Sequence, residues 1–237
     1  MHAFLYGSWV LLIYILCVAV PALLCRLVIR IHDELFRKIL HCIFLGVPLI
    51  FVLAFDSWWH AVAVCVIFAV AIYPVLTCFE RLRKYSEFTT ERKKGELKES
   101  LLLVFAMMAV VVTVCWGWLG DRYLVLASVY AWGFGDAAAA LVGKKWGKHK
   151  IRFGPADSRK SVEGSAAMFV VSLASVAIVL SVRGGLSFAG YLVIPVITAF
   201  VSALAELCSK DGHDTVICPL SAMAVLLPLL HLFGGLA

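Results

Sequence analysis

The chain is poor in charge: Asp, Glu, Lys and Arg make up 15% of its 237 residues, and only 15 residues are acidic. Soluble domains carry about a quarter, so this scarcity argues against one. No GxxxxGK[ST] string occurs, which excludes a Walker-type phosphate loop. The eight cysteines show neither CxxC nor a Cys/His ligand spacing. They read as small packing residues rather than as redox or zinc ligands. No Gly/Ser or Pro linker divides the chain and no transporter-like internal repeat is visible, so one domain over residues 1–237 is expected. No Lys or Arg precedes the first apolar run, whereas Arg26, Arg30, Arg37 and Lys38 follow it. That run therefore reads as a retained helix, not a cleaved signal.

What fills the chain instead is hydrophobic sequence, at 63% of residues and a mean hydropathy of +0.98. Runs long enough to cross a hydrocarbon core lie near 4–25, 39–55, 58–79, 100–119, 122–143, 162–182, 186–208 and 216–235. The expected fold is all-α, a polytopic bundle of about eight transmembrane helices. Nineteen of the 21 Lys and Arg fall in the connections after spans 1, 3, 5 and 7, leaving Arg122 and Arg183 elsewhere. This bias puts those connections in the cytoplasm and both termini on the other side. The net charge of +6 is thus interfacial, and with no basic groove of interleaved aromatics it gives no support for a nucleic-acid partner.

Asp136 lies in the fifth run, in GFGDAAAALVG. An ionised side chain at mid-helix costs about 2.5 to 3.5 kcal/mol on insertion scales, so such residues face a polar cavity or a partner. Gly135, Ala139, Gly143 and Gly147 recur every fourth residue and leave one helix face nearly bare. That face suits close helix packing, and a packed wall and a cavity wall can coincide there. Gly133, Gly135 and Ala138 also match GxGxxA, but no strand precedes them, so a dinucleotide-binding reading fails.

Beyond Asp136 come Lys144, Lys145, Lys148, Lys150, Arg152, Arg159 and Lys160 with one acid, Asp157. A positive-inside loop needs charge but no order. The arrangement here adds glycines that let backbone approach a ligand, and Ser161 where the next helix begins. Free N–H groups at such an N-terminus favour phosphate oxygens, and Ser161 can cap the helix or touch a phosphate. Asp136 would then hold a divalent cation against the phosphates.

The run GDAAAALVGKKWGKHK followed by SRKSVEGS resembles the signature of the CTP-dependent lipid-alcohol kinases, which act on dolichol, phytol, farnesol or diacylglycerol. RKILH at 37–41, KGELKES at 94–100 and ELCSKDGHDTVICP from Glu206 to Pro219 fit the same family. The resemblance implies CTP as phosphate donor, Mg²⁺ or another divalent cation, and the hydroxyl of a membrane lipid alcohol as acceptor. On matching positions, Asp136 would serve the metal or nucleotide, and Lys144, Lys148 and Arg159 the phosphates. Lys160, Ser161 and Glu163 would form the nucleotide loop. Glu206 and Asp214 would make a second acidic cluster, with Asp136, Glu206 and Asp214 sharing catalysis and Asp136 and Glu206 the metal. Where the family often shows Asp-Asn, this chain has Asp214-Thr215.

Arg37, Lys38 and His41 sit at a span boundary with Arg37 and His41 on one helix face, a pattern suited to a headgroup or phosphate. Interfacial snorkelling explains the two bases equally well. In the charged 80–99 stretch only Glu96 draws a functional expectation. Two rival readings stand. Phosphatidate cytidylyltransferases use CTP and a related Ser-x-Lys-x-x-x-Glu-Gly pattern, but the HGGxxDRxD-type ending is missing here. A membrane transporter also tolerates an acid within a bundle. The expected site faces the cytoplasm, in a bacterial cytoplasmic membrane or, in a eukaryote, an ER or plastid membrane. A homo-oligomer is compatible with the sequence and not specified by it.

Overall fold

A polar backbone in hydrocarbon must satisfy its N–H and C=O groups within its own segment, and uninterrupted apolar runs do so as helices. The computed structural model describes residues 2–29, 31–79, 95–151, 160–209 and 213–235. Among these, eight helices are long and apolar enough to cross a membrane: α1 (Phe4–Arg26), α2 (Leu35–Ala54), α3 (Trp58–Cys78), α4 (Leu97–Trp118), α5 (Tyr123–Trp146), α6 (Val162–Arg183), α7 (Phe188–Cys208) and α8 (Asp214–Leu232). The expected all-α membrane bundle is what the chain forms, and the only extended pairing among the described residues is an isolated bridge between Lys150 and Ser161. The chain falls into two compact units, Met1–Thr113 and Val114–Ala237.

In the first unit two helices depart from α geometry beside prolines. Pro21 has no N–H to give, and the turn before it, Ile15–Ala19, is π-helical, with Val20 N–H bonding back to Ile15 O. The second span is two helices, Asp33–Phe44 and Gly46–Ala54, divided at Leu45. A side chain at Gly46 would run into the Tyr14 hydroxyl, which donates to Ile43 O. Phe36, Phe51, Val52, Phe55 and Met108 are buried. Phe105 of α4 meets Phe44 and Phe68 at 6.1 and 5.5 Å between ring centres.

The second unit places the site. Its four helices run up and down, α5 against α6, α6 against α7, α7 against α8, and α8 back on α5. Over its most apolar window α5 is 67% buried, against 28 to 33% for α6, α7 and α8, which makes it the innermost strut. Alternation of direction brings the last turns of α5 and α7 and the first turns of α6 and α8 to one end. At the other end Arg183 ties the bundle: its guanidinium donates to Asp121, to the Gly235 carbonyl and, at 3.0 Å, to the Gly184 carbonyl. Asp121 in turn accepts from Tyr123 N–H at the start of α5.

The α5–α6 contact explains the run of small residues. A Cβ on Gly135 would collide with Ser172 Oγ and come within 3.0 Å of Met168. One on Gly164 of α6 would lie 3.0 Å from the Ala139 carbonyl and 3.4 Å from Gly143 Cα. Gly143 and Gly147 do not open the backbone to a ligand, as their spacing suggested. The space they leave is taken by Ser161, whose Oγ would lie 2.6 Å from a Cβ on Gly147. The stripe is a packing seam of the small-xxx-small kind.

Candidate active site

Helix α5 runs to Trp146, three residues past the expected end, and carries Lys144 and Lys145 in its last turn. Asp136 therefore lies ten residues, about 15 Å, inside that end and is buried at 8% exposure. This is deeper than the two turns the apolar run implied. Lys144 and Lys148 are exposed, as is Lys145, which stacks on the Trp146 ring at 4.6 Å. Arg159 lies outside the described residues.

The chain then turns back on itself as a short strap. Ile151 N–H bonds to Lys160 O and Val162 N–H to His149 O, both at 3.0 Å, pairing 149–151 with 160–162. Ser161 has extended backbone and is the N-cap of α6, its Oγ accepting from Gly164 N–H at 3.2 Å. Of the two roles open to it, the structure displays the cap, with the side chain buried at 2%. Glu163, in the first turn of α6, accepts from the His149 backbone N–H at 3.2 Å and sits 2.7 Å from His149 Nδ1. It fastens the strap to the helix start, where the dipole favours a carboxylate.

Lys160 points across to α7. Its ammonium pairs with Glu206 Oε1 at 3.1 Å and donates to the Glu206 carbonyl and, at 2.9 Å, to the Ser209 carbonyl. Those carbonyls end α7, where the helix dipole is negative. Ser209 Oγ also donates to Glu206 O at 2.8 Å.

Glu206 is nine-tenths buried, and Asp136, Asp214 and Lys160 all lie within electrostatic reach of it. Cys218, one turn into α8, feels the same four charges. Carboxylates from α5 and α8 and one lysine from the strap are thus within electrostatic reach of Glu206, with Asp136 set deeper in the second unit than the helix ends that carry Glu206 and Asp214. Asp214 opens α8 rather than preceding it, so an acid occupies the favourable N-terminal turn. Arg37, Lys38 and His41 lie on the helix Asp33–Phe44 of the first unit, Lys38 buried and the other two half-buried. Glu96 opens the helix that leads into α4.

Carboxylate oxygens are the donors a hard cation takes. Among the described residues, however, no three or more His, Cys, Asp or Glu side chains are grouped closely enough to hold a metal by themselves. Such a donor set fits Mg²⁺ of the kind bound by one or two carboxylates and completed by phosphate oxygens and water, and does not fit a closed protein cage. One Glu206 oxygen already faces Lys160.

His149, Gly164 and Ser209 went unnoticed in the sequence. Gly164 stood inside the quoted SVEGS motif and His149 inside GKHK, but neither spacing reveals what it touches. Ser209 carried no signal.

Two curated relatives carry an activity in their names. A protein named phytol kinase from Synechocystis sp. is 27% identical over 204 residues, spanning 81% of this chain and 78% of that one. One named probable phytol kinase, chloroplastic, from Triticum aestivum is 28% identical over 190 residues, spanning 72% of this chain and 59% of its own length. No protein-family model and no solved structure matches the chain.

Proposed function

We propose that the chain, a member of the family of polyprenol and phytol kinases, is an integral-membrane kinase that transfers the γ-phosphate of CTP to the hydroxyl of a long-chain lipid alcohol. The observation that supports this reading is that Asp136, Asp214 and Lys160 all lie within electrostatic reach of the buried Glu206, with Lys144 exposed in the last turn of the helix that carries Asp136 and Lys148 exposed just beyond it. Acids held within a bundle, with exposed lysines at the cytoplasmic end of the helix that carries one of them, suit a metal-complexed triphosphate. The alignment of 204 residues is longer than either compact unit, which supports one functional domain over the whole chain. The bias of basic connections supports a cytoplasmic site, with the acceptor reaching it laterally from the bilayer.

In the reaction the acceptor's hydroxyl oxygen bonds to the γ-phosphorus as the bond from that phosphorus to the β–γ bridging oxygen breaks, and CDP leaves. The hydroxyl proton passes to one of the three carboxylates, Asp136, Glu206 or Asp214. Lys144, Lys148 and Arg159 meet the phosphate oxygens. Asp136 and Glu206 are the residues that would hold Mg²⁺, which supplies neutralisation of phosphate charge. Phosphoryl transfer asks mainly for positioning and charge compensation, which fixed groups on packed helices provide.

The test uses full-length protein in nanodiscs with γ-labelled CTP, Mg²⁺ and a panel of phytol, polyprenol, dolichol and diacylglycerol. The expected products are labelled lipid phosphate and CDP in equal amounts. Pyrophosphate with phosphatidate as acceptor would favour a cytidylyltransferase. No turnover, with solute flux into liposomes, would favour a transporter.

A further inference from the structure

We propose that Lys160 is a positioning residue that acts through Glu206, and is not a ligand of the nucleotide's phosphates. The proposal rests on the kinase reading of this site and changes the role that the family resemblance gives this lysine. A lysine ammonium has three donors. Here three protein oxygens receive them: Glu206 Oε1, the Glu206 carbonyl and the Ser209 carbonyl. The side chain is 16% exposed and that of Glu206 11%, unlike the exposed Lys144 and Lys148. A phosphate oxygen reaching Lys160 would displace a charge-assisted bond already made to the protein.

The tie has work to do where it is. Glu206 is a buried carboxylate within reach of two like charges, Asp136 and Asp214. Lys160 opposes that repulsion and fixes one carboxylate oxygen. Its own backbone is held by Ile151 N–H, and the next residue caps α6. The start of α6 is thereby pinned to the end of α7, and the Glu206 carboxylate is aimed by the same bond.

The experiment compares Lys160→Met, Lys160→Arg, Glu206→Gln and the double variant Lys160→Met/Glu206→Gln in the labelled-CTP assay, with hydrogen exchange over residues 204–209 measured on each. Lys160→Met should lower kcat by about tenfold or more and leave the KM for CTP within about twofold, since it removes an interaction needed for the chemical step. Lys160→Arg should restore part of kcat. The double variant should be no slower than Glu206→Gln alone, because two residues acting as one unit do not multiply their losses. Exchange at the end of α7 should rise in Lys160→Met whether or not turnover is seen. A KM for CTP raised tenfold at unchanged kcat, multiplying losses, or unchanged exchange at residues 204–209 would each overturn the proposal. Absence of phosphate transfer by the wild-type protein would instead overturn the kinase reading, with the exchange result still deciding whether Lys160 holds α7.

Discussion

Gly135→Ala is a test of the seam that sets the depth of Asp136. The added Cβ collides with Ser172 Oγ and comes within 3.0 Å of Met168 Cγ. Ser172 also donates to the Ala131 carbonyl, so pushing it aside threatens that bond. Overpacking of this kind costs about 1 to 3 kcal/mol, and the lost hydrogen bond about 1 kcal/mol more. The helix-propensity gain of Gly to Ala, up to about 1 kcal/mol, opposes these. The net expectation is a loss of about 2 kcal/mol. Ser172→Ala alone should lose about 1 kcal/mol, the Ala131 carbonyl lying inside a helix that gives it a backbone donor. Removing the Ser172 oxygen also removes the main obstruction to the methyl group that Gly135→Ala introduces. The double variant should therefore lose no more than about 1 kcal/mol rather than 3, a coupling of about 2 kcal/mol within the range for touching residues. Equilibrium unfolding in mixed detergent micelles measures all four proteins. Additivity within about 0.4 kcal/mol, or a Gly135→Ala variant as stable as wild type, would refute the seam.

Asp136→Asn keeps the shape and removes the charge, so it should abolish phosphate transfer while membrane insertion, followed by carbonate extraction, stays normal. Ser161→Ala should lower stability by about 1 kcal/mol, the usual cost of a lost N-cap, with little change in the KM for CTP. A tenfold rise in that KM at unchanged stability would instead make the hydroxyl a phosphate ligand. Asp121→Ala leaves Arg183, only 12% exposed, without its carboxylate. Thermal unfolding should show a loss of about 3 kcal/mol and kinetics an unaltered KM, because this tie is at the bundle end away from Asp136, Glu206 and Asp214.

The helices were legible because the bilayer imposes one length on every span, and each apolar run met that length within a few residues. Boundaries slipped where chemistry changes gradually. Lys144 and Lys145 look like loop in a hydropathy count, yet basic residues suit the last turn of a helix, and α5 keeps them. The small-residue stripe announced close packing, but the same glycines also suggested room for a ligand. Only the position of Ser161, whose Oγ borders Gly143, Gly147 and Gly164, decides between the two. The carboxylates could be named singly because each interrupts or borders an apolar run. Their convergence depends on which helices are neighbours, which no local pattern encodes. The partner of Lys160 is 46 residues away, so its tie to the end of α7 could not be read from its place beside a helix start.

Convergence of this kind has a consequence for how the site can fail. Asp136, Glu206 and Asp214 come from three helices, so their separations are set by helix packing and not by backbone spacing. The observed devices fix α5, α6, α7 and the strap relative to one another. The glycine seam sets α5 against α6, the Ser161 cap and the Glu163–His149 contact set the strap against α6, and Lys160 sets the start of α6 against the end of α7. In a lipid bilayer the hydrophobic effect does little to press helices together, so such close packing and polar ties carry the burden. A displacement of about 1 Å in a reacting group can cost about 100-fold in rate. Substitutions in the seam, the cap and the lysine tie should therefore depress kcat by shifting the carboxylates, and they should do so before the bundle itself unfolds.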